Sequence, residues 1–260
     1  MTGRSTESDT YTSDEMMTVA AARELRSGMS CFVGVGPPSV AANLARTTHA
    51  PDIVLIYESG TIGAKPTRLP LSIGDGELAE TADAVVSVPE IFNYWVQPGR
   101  IDVGFLGAAQ IDRYGNINTT VIGSYQHPKV RLPGAGGAPE IAASTKEVIV
   151  IVRQSPRTFV ERLDFITSMG HGGNGISRRQ LGFTGAGPTI VITDLGILRP
   201  DSQSCQLVMS CLHPGVTVEQ ARAATGWPLS VADDLARTEP PTADELRALR
   251  ALKAGEREFA

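Results

Sequence analysis

Cysteine, long apolar runs and excess basic charge are all scarce in this sequence, and each shortage excludes a class of protein. Cys31, Cys205 and Cys211 are an odd number without metal-like spacing, which argues against a disulfide framework or a zinc site. A formal net charge of -5 gives no support to nucleic-acid binding. No apolar run approaches the ~20 residues of a membrane span, and residues 1–12 lack the apolar core of a signal peptide. We therefore expect a cytoplasmic protein that binds neither nucleic acid nor a membrane.

Glycine, in contrast, is abundant, with 27 residues that cluster mostly where apolar runs end. The apolar runs predict buried strands, and segments with helix-capping signals alternate with them. The predicted strands cover residues 29–33, 51–57, 101–106, 147–152, 190–193 and 206–212, with short candidates at 119–122 and 130–132. The predicted helices cover residues 13–27, 40–46, 89–95, 218–225 and 246–253. This alternation predicts the α/β class, as a single domain over residues 13–260 with an open, mostly parallel sheet flanked by helices, after a disordered tail over residues 1–12.

Four glycine-containing loops follow predicted strands or lie beside them, at residues 34–37, 58–63, 107–110 and 134–139. The carboxyl ends of parallel strands share one edge of a sheet, so these loops can converge on one cleft. Only the second loop offers a carboxylate with small neighbours, Glu58 followed by Ser59 and Gly60. Small neighbours allow a substrate carbonyl to come within about 3–3.5 Å of the attacking oxygen. Glu58 is therefore a candidate nucleophile, although it could equally be the polar residue that ends a strand.

Several other patterns point to different chemistry. The loop Gly34-Val-Gly36 lacks the third glycine of a dinucleotide fingerprint, so it does not favour a nicotinamide cofactor. His171 in its glycine-rich loop could be a general base or part of a surface loop. A hydrolase triad could be sought in Ser210, His213 and Asp194, but no G-x-S-x-G elbow supports it.

Charged side chains form two further groups of candidates. Asp75, Glu77 and Glu80 form a second acidic cluster, which reads as a solvated loop and helix start. Basic side chains that could pair with a substrate carboxylate or with CoA phosphates, or could be ordinary surface charges, are Lys65, Arg68 and Arg131.

The segment Tyr57-Glu58-Ser59-Gly60-Thr-Ile-Gly63 resembles the glutamate motif in the β subunit of family I CoA-transferases. Tyrosine replaces the usual serine of that motif, and Ser59 replaces its asparagine. Gly34-Val-Gly36-Pro37 resembles the family's first glycine loop, and segments 107–112 and 133–137 follow in the expected order and spacing. The likeness extends from about Met16 to Leu252. It points to the branch that resembles glutaconate CoA-transferase, and the glycine signature of the family's α subunit is not found.

The resemblance implies a ping-pong transfer of CoA with Glu58 as the nucleophile. Glu58 would attack the thioester of succinyl-CoA, pass through an acyl-glutamyl anhydride, and become a glutamyl-CoA thioester that 3-oxoadipate then discharges, as in aromatic-compound degradation by the β-ketoadipate pathway. Covalent catalysis divides one hard acyl exchange into easier steps. The site residues implied beside the nucleophile are oxyanion donors on two glycine loops and an amide near the carbonyl: Val35, Gly36, Gly136, Gly137 and Gln110.

The resemblance also implies which molecules act with this chain. CoA is expected as a substrate carrier, with no metal and no permanently bound cofactor. The expected partner is the α (A) subunit, in a heterodimer or an α2β2 heterotetramer. Two alternatives stay open: a hydrolase subunit for CoA thioesters, whose relatives lack the glutamate motif, and a non-catalytic scaffolding subunit.

Overall fold

The computed structural model describes residues 10–172 and 177–259. Its strands are β1 (Ser30–Val33), β2 (Val54–Tyr57), β3 (Thr61–Ile62), β4 (Ala84–Val85), β5 (Val103–Leu106), β6 (Gln110–Ile111), β7 (Ile117–Asn118), β8 (Val121–Gly123), β9 (Pro128–Arg131), β10 (Glu147–Ile151), β11 (Pro188–Ile192), β12 (Gly196–Pro200), β13 (Leu207–Leu212) and β14 (Val231–Arg237). Its helices are α1 (Ser13–Arg23), α2 (Pro37–Thr47), α3 (Gly76–Glu80), α4 (Val88–Glu90), α5 (Ala138–Ser144), α6 (Val218–Ala223) and α7 (Ala243–Phe259). A π-helix covers Ile91–Val96, and a 3₁₀ turn covers Arg179–Leu181.

Ten of these strands form one sheet in the spatial order β14-β13-β12-β11-β10-β5-β1-β2-β3-β4. The five central strands, from β11 to β2, are parallel to their neighbours. Antiparallel pairs join β12 and β13 on one side and β3 and β4 on the other. The predicted α/β fold with a mostly parallel sheet is therefore confirmed, and the additions lie at its two ends.

The central strands are apolar on both faces because each face is covered. Along β1, Cys31 and Val33 belong to one buried cluster, which includes residues of α1, α2 and α7. Phe32 belongs to a second cluster on the opposite face, which includes residues of the π-helix, α5 and α6. Strands buried on both faces have continuous rather than alternating apolar runs. This burial explains why the central strands were recognisable in the sequence.

Several element boundaries differ from those predicted. The helix predicted from residue 40 begins at Pro37, because proline suits the first turn of a helix, where an N–H has no helical partner. Helix α1 begins after its Thr12 N-cap, as predicted, but ends at Arg23. Of the predicted disordered tail, residues 1–9 lie outside the described residues, whereas Tyr11 packs against the core. The boundary of the domain at residue 13 stays a prediction.

Parallel pairing brings the ends of the central strands to the same edge. Val33 at the end of β1 pairs with Tyr57 at the end of β2, and Phe32 pairs with Gly104 of β5. The loops that begin at Gly34, Glu58 and Gly107 consequently start side by side. This is the edge at which open α/β sheets place ligands.

Gly60, in the loop after Glu58, is packed directly against the segment that follows β4. Its φ is +106°, and an added Cβ would fall well inside van der Waals contact with the Val86 carbonyl oxygen. Val86 N donates to Gly60 O at 2.9 Å, which holds the two segments together. The glycine is therefore required by the neighbouring backbone.

We expect Gly60→Ala to destabilise the fold by about 3 kcal/mol or more, because backbone must move and φ is unfavourable. Gly182→Ala is the matched control, since Gly182 has φ +74° but no atom within 4 Å of an added Cβ. That control should cost only about 1–2 kcal/mol. Urea unfolding of the two variants measures the difference, and equal losses would show that the contact with Val86 is unimportant.

Candidate active site

A cavity of about 220 Å³ opens at the carboxyl ends of β1, β2 and β5. It is lined by Phe32, Val33, Gly34, Val35, Pro38, Glu58, Ile73, Phe105, Leu106, Gly107, Ala135, Gly136, Gly137, Ala138 and Ile141. An apolar cavity of about 410 Å³ adjoins it and shares Leu106, Gly107, Ala135 and Ala138. The predicted convergence of glycine loops at one sheet edge is therefore what the structure shows.

Glu58 is the one carboxylate among the residues that line this cavity. It follows Tyr57, which is fully buried, and the chain then turns so that Gly60 N donates to Tyr57 O at 3.0 Å. The Glu58 side chain is half-buried and forms no hydrogen bond or ion pair to any described residue. Its oxygens are consequently free to react with a molecule in the cavity.

Tyr57 anchors the nucleophile's strand from below. Asn43 of α2 lies with its Nδ2 3.4 Å from the Tyr57 hydroxyl. Burial raises the pKa of this tyrosine, while hydrogen bonds from Ser39 and Asn43 oppose the rise. The phenol therefore stays neutral and joins β2 to the helix that follows the first glycine loop.

Gly137 lies directly beside the carboxylate. An added Cβ would be 3.3 Å from Glu58 Oε1 and 2.7 Å from Phe92 Cε1. Gly137 itself has φ -82°, so its glycine is required by close packing, whereas Gly136 has φ +48°. This turn thus brings backbone close to the nucleophile.

The first glycine loop reaches the same cavity through Val35, whose side chain is exposed. Gly36 is the N-cap of α2, and Pro37 and Pro38 occupy the first two helical positions. Proline has no N–H, so the donors at this end of α2 must come from the loop or from Ser39 onwards. Val35 and Gly36 are accordingly the loop residues with amides nearest this helix start.

The structure does not bring Gln110 into the Glu58 cavity, in contrast to the position that the resemblance implied. Its Nε2 donates to Asp164 Oδ2 at 3.0 Å, and its Oε1 accepts from Asn118 Nδ2 at 2.7 Å. Asp164 N also donates to Gln110 Oε1, at 3.2 Å. These bonds engage both ends of the amide, which holds β6 against the loop around Asp164.

The second acidic cluster and the candidate cations largely neutralise each other. Arg68 forms a two-point ion pair with Asp75, at 2.7 and 2.9 Å, and contacts Glu77 at 3.1 Å. The Arg68 guanidinium holds the pKa of Asp75 down at about 2. Lys65 pairs with Asp83, so this region is a charged surface network.

Arg131 is likewise engaged at the surface. Its guanidinium carbon lies 4.9 Å from the centre of the Tyr125 ring, and its Nη2 donates to Tyr125 O at 3.1 Å. None of Lys65, Arg68 and Arg131 lines the Glu58 cavity. The assignment of any of them to CoA phosphates therefore rests on no contact within this chain.

The histidines considered as bases have structural partners. His171 Nε2 lies 2.7 Å from Pro188 O, and burial lowers the pKa of its imidazole. His213 lies between Thr193 O and Thr238 Oγ1, at 2.8 Å from each. The rest of the glycine loop after His171, residues 173–176, lies outside the described residues.

The three side chains of the possible hydrolase triad bind separate partners. Ser210 Oγ donates to Ile197 O at 3.0 Å, and Asp194 Oδ1 accepts from Gln154 N at 2.8 Å. Neither is hydrogen-bonded to His213, whose two ring nitrogens are already occupied. The triad interpretation is therefore wrong.

Sequence reasoning missed the aromatic and aliphatic side chains around the carboxylate. Phe92 of the π-helix touches the Gly137 position, and Phe32, Phe105 and Ile141 line the cavity. No local pattern marks Phe92, because its place depends on a π-turn that packs on a helix much later in the chain. The run of apolar residues containing Phe32 was recognised, but only as a strand.

Neither a membrane-spanning helix nor a metal-binding cluster is found in the described part of the chain. Within residues 10–172 and 177–259, no helix is both long and apolar enough to cross a bilayer. The same residues contain no group of three or more histidine, cysteine or carboxylate side chains placed to hold a metal ion.

Known proteins similar to this chain agree with its geometry. The family model for coenzyme A transferase matches residues 14–224. The B subunit of 3-oxoadipate CoA-transferase from Pseudomonas knackmussii is 66% identical over 94% of both chains. The crystal structure of glutaconate coenzyme A-transferase from Acidaminococcus fermentans superposes with a TM-score of 0.86 at 32% identity, covering 93% of this chain and 94% of that one.

A more distant relative bears a different activity in its name. The cholesterol ring-cleaving hydrolase IpdB subunit of Mycobacterium tuberculosis is 28% identical over 92% of this chain and 93% of its own. The family match nevertheless covers most of the chain, and the 66% identity to a transferase subunit confirms the predicted CoA-transferase. This chain belongs to the coenzyme A transferase family.

Proposed function

We propose that this chain is the β subunit of a CoA-transferase that moves CoA from succinyl-CoA to 3-oxoadipate through a glutamyl-CoA thioester at Glu58. The observation that carries the proposal is the half-buried Glu58 carboxylate, free of protein partners, in a cavity beside the bare backbone of Gly137. The 66% identity to the B subunit of a 3-oxoadipate CoA-transferase supports this choice of acceptor. CoA enters the reaction as a substrate.

The first half-reaction loads CoA onto the enzyme. A Glu58 oxygen bonds to the thioester carbon of succinyl-CoA, and the carbon–sulfur bond breaks to leave an acyl-glutamyl anhydride and CoA thiolate. The thiolate then attacks the glutamyl carbonyl, so that succinate leaves and Glu58 carries CoA as a thioester. A carboxylate nucleophile needs orientation and little hydration more than it needs a base.

The second half-reaction reverses these steps with the acceptor. A carboxylate of 3-oxoadipate attacks the glutamyl thioester, thiolate leaves, and the thiolate then attacks the acceptor side of the new anhydride. Each attack places negative charge on a carbonyl oxygen, which preorganised N–H donors stabilise. We assign that role to Val35, Gly36, Gly136 and Gly137, and we leave out Gln110, since its amide is engaged by Asn118 and Asp164.

An acceptor panel tests the proposed reaction. The reconstituted pair is given succinyl-CoA together with 3-oxoadipate, glutaconate or acetoacetate, and product thioesters are separated by chromatography. We expect 3-oxoadipyl-CoA to form with the highest kcat/KM. A different acceptor with a higher value would overturn the substrate assignment, while CoA release at the same rate without any acceptor would establish the hydrolase alternative.

The α subunit is the proposed partner, in a heterodimer or in α2β2. Support comes from the relative's name, which makes it one of at least two kinds of subunit, and from exposed apolar side chains in or next to the segments that border the Glu58 loop and its cavity: Val35, Leu71, Val85 and Val88. Val85 belongs to the edge strand beside the Gly60 loop. Obligate interfaces are apolar because they resemble a divided core.

We expect the purified chain alone to show at least about a hundredfold less CoA transfer than the reconstituted pair, since a site completed by two chains loses positioned groups with either one. Size-exclusion chromatography with light scattering, before and after mixing with the α subunit, gives the stoichiometry. The control is the pair carrying Glu58→Gln, which should assemble normally without activity. Full activity of the isolated chain would disprove the need for a partner.

A further inference from the structure

The π-helix between α4 and β5 places an aromatic ring next to the proposed nucleophile. Gln97 N donates to Phe92 O at 2.9 Å, a bond that spans five residues rather than four. Ile91 and Val96, five positions apart, are both fully buried. Wide turns of this kind occur often at functional sites.

The Phe92 ring is held from two sides. It packs against Phe32 of β1, with ring centres 6.0 Å apart and planes tilted by 55°. Its Cε1 lies 2.7 Å from the point that a Cβ on Gly137 would occupy, and Glu58 Oε1 lies 3.3 Å from the same point. The ring edge and the carboxylate therefore border the same small space above Gly137.

The π-helix and α5 are also joined directly. Gln97 Nε2 donates to Glu140 Oε1 at 3.1 Å, and Glu140 lies one turn after Gly137. The start of the wide helix is fixed by a capping box, in which Ser87 N donates to Glu90 Oε2 at 2.8 Å. Because both ends are tied, the ring keeps its position relative to the Gly137 turn.

We propose that Phe92 is a positioning residue that shields one side of the Glu58 carboxylate from water and so favours CoA transfer over hydrolysis. The inference rests on the proposed function for its chemical consequence. Water attack on the acyl-glutamyl anhydride breaks the bond between acyl carbon and Glu58 oxygen, regenerates Glu58, and releases succinate and two protons, one of which CoA thiolate takes up. An apolar ring offers that water no hydrogen bond and occupies its approach.

The experiment uses the reconstituted pair with a graded series at one position: Phe92→Leu, Phe92→Val and Phe92→Ala. Tyr94→Ala is the matched control, since Tyr94 belongs to the same π-helix but is exposed. The first readout is the ratio of CoA released without acceptor to CoA transferred with acceptor. The second is labelling of Glu58 by a water-soluble carbodiimide and glycine ethyl ester, located by peptide mass spectrometry.

We expect the hydrolysis-to-transfer ratio to rise roughly tenfold in Phe92→Ala, less in Phe92→Val, and little in Phe92→Leu, because apolar bulk is what excludes water. Labelling of Glu58 should rise in the same order, and the Tyr94→Ala pair should match the wild type. If Phe92→Ala does not fold, the order of Leu and Val carries the same test. A melting temperature that falls while ratio and labelling stay constant would overturn the proposal.

The labelling readout separates failure of this inference from failure of the proposed function. If the wild-type pair transfers no CoA to any acceptor, the proposed reaction is wrong, and graded labelling of Glu58 still supports the shield. If transfer occurs but labelling is equal in all variants, the reaction stands and the shield is disproved.

Discussion

Glu58→Gln should abolish CoA transfer while the fold and the assembly with the α subunit stay intact. The amide keeps the size of the side chain but cannot form the anhydride, and loss of covalent participation costs orders of magnitude in rate. We expect less than about a hundredth of wild-type kcat, a bound that Glu58→Ala should also meet. Glu219→Gln, an exposed glutamate in the first turn of α6, is the control and should retain full activity.

Chemical trapping extends this test from rate to intermediate. Incubation of the pair with succinyl-CoA and then borohydride should reduce a thioester at residue 58 to an alcohol, which peptide mass spectrometry locates. No such product should form in Glu58→Gln. Reduction at another residue, or activity of Glu58→Ala above the stated bound, would remove Glu58 from the role of nucleophile.

Gly137→Val should lower kcat by roughly 10²–10³, the scale for one lost oxyanion donor, and should change KM for the CoA ester much less. The structure gives a steric reason, since the first added carbon would press on Phe92 and approach Glu58 Oε1 to 3.3 Å. Gly76→Ala in α3 is the control, because no atom lies within 4 Å of its added Cβ. Kinetics and melting temperature are measured together for both variants.

A double variant separates the two causes of the expected loss at Gly137. Combining Gly137→Ala with Phe92→Ala removes the ring that the new methyl group would meet. Stability should then recover toward that of Phe92→Ala, whereas kcat should stay low if the backbone N–H donor has been displaced. Near-normal kcat in Gly137→Val at an unchanged melting temperature would instead exclude this turn from catalysis.

The central sheet was predictable because its strands are apolar on both faces. The runs that became β1, β2, β5 and β10 carry an unmistakable buried pattern, and their glycine loops then fall on one edge. Strands β3 and β4 have two residues each, too few for any period to show. Strand β14 was missed for another reason: it contains exposed Asp233 and Asp234, which depress its β propensity.

Residues of the site divide in the same way. Val35, Glu58, Gly136 and Gly137 belong to short motifs, and the structure places them around one cavity. Gln110 was placed by its motif, but the nearby Asn118 and Asp164 claim its amide. Phe92 carries no local signal, because the wide turn that aims it depends on Phe32 and Gly137, which are far away in the chain.

The two ends of the ten-stranded sheet have a consequence for solubility. An open sheet of this width offers two rows of unpaired backbone groups, which can template the addition of another copy of the chain. One outer row belongs to β14, where charged and exposed Asp233 and Asp234 would face like charges on an incoming copy. The other belongs to β4, which is only two residues long. Neither border gives a neighbouring molecule a long, neutral template, so the protein can be concentrated with little tendency to grow edge to edge into fibrils.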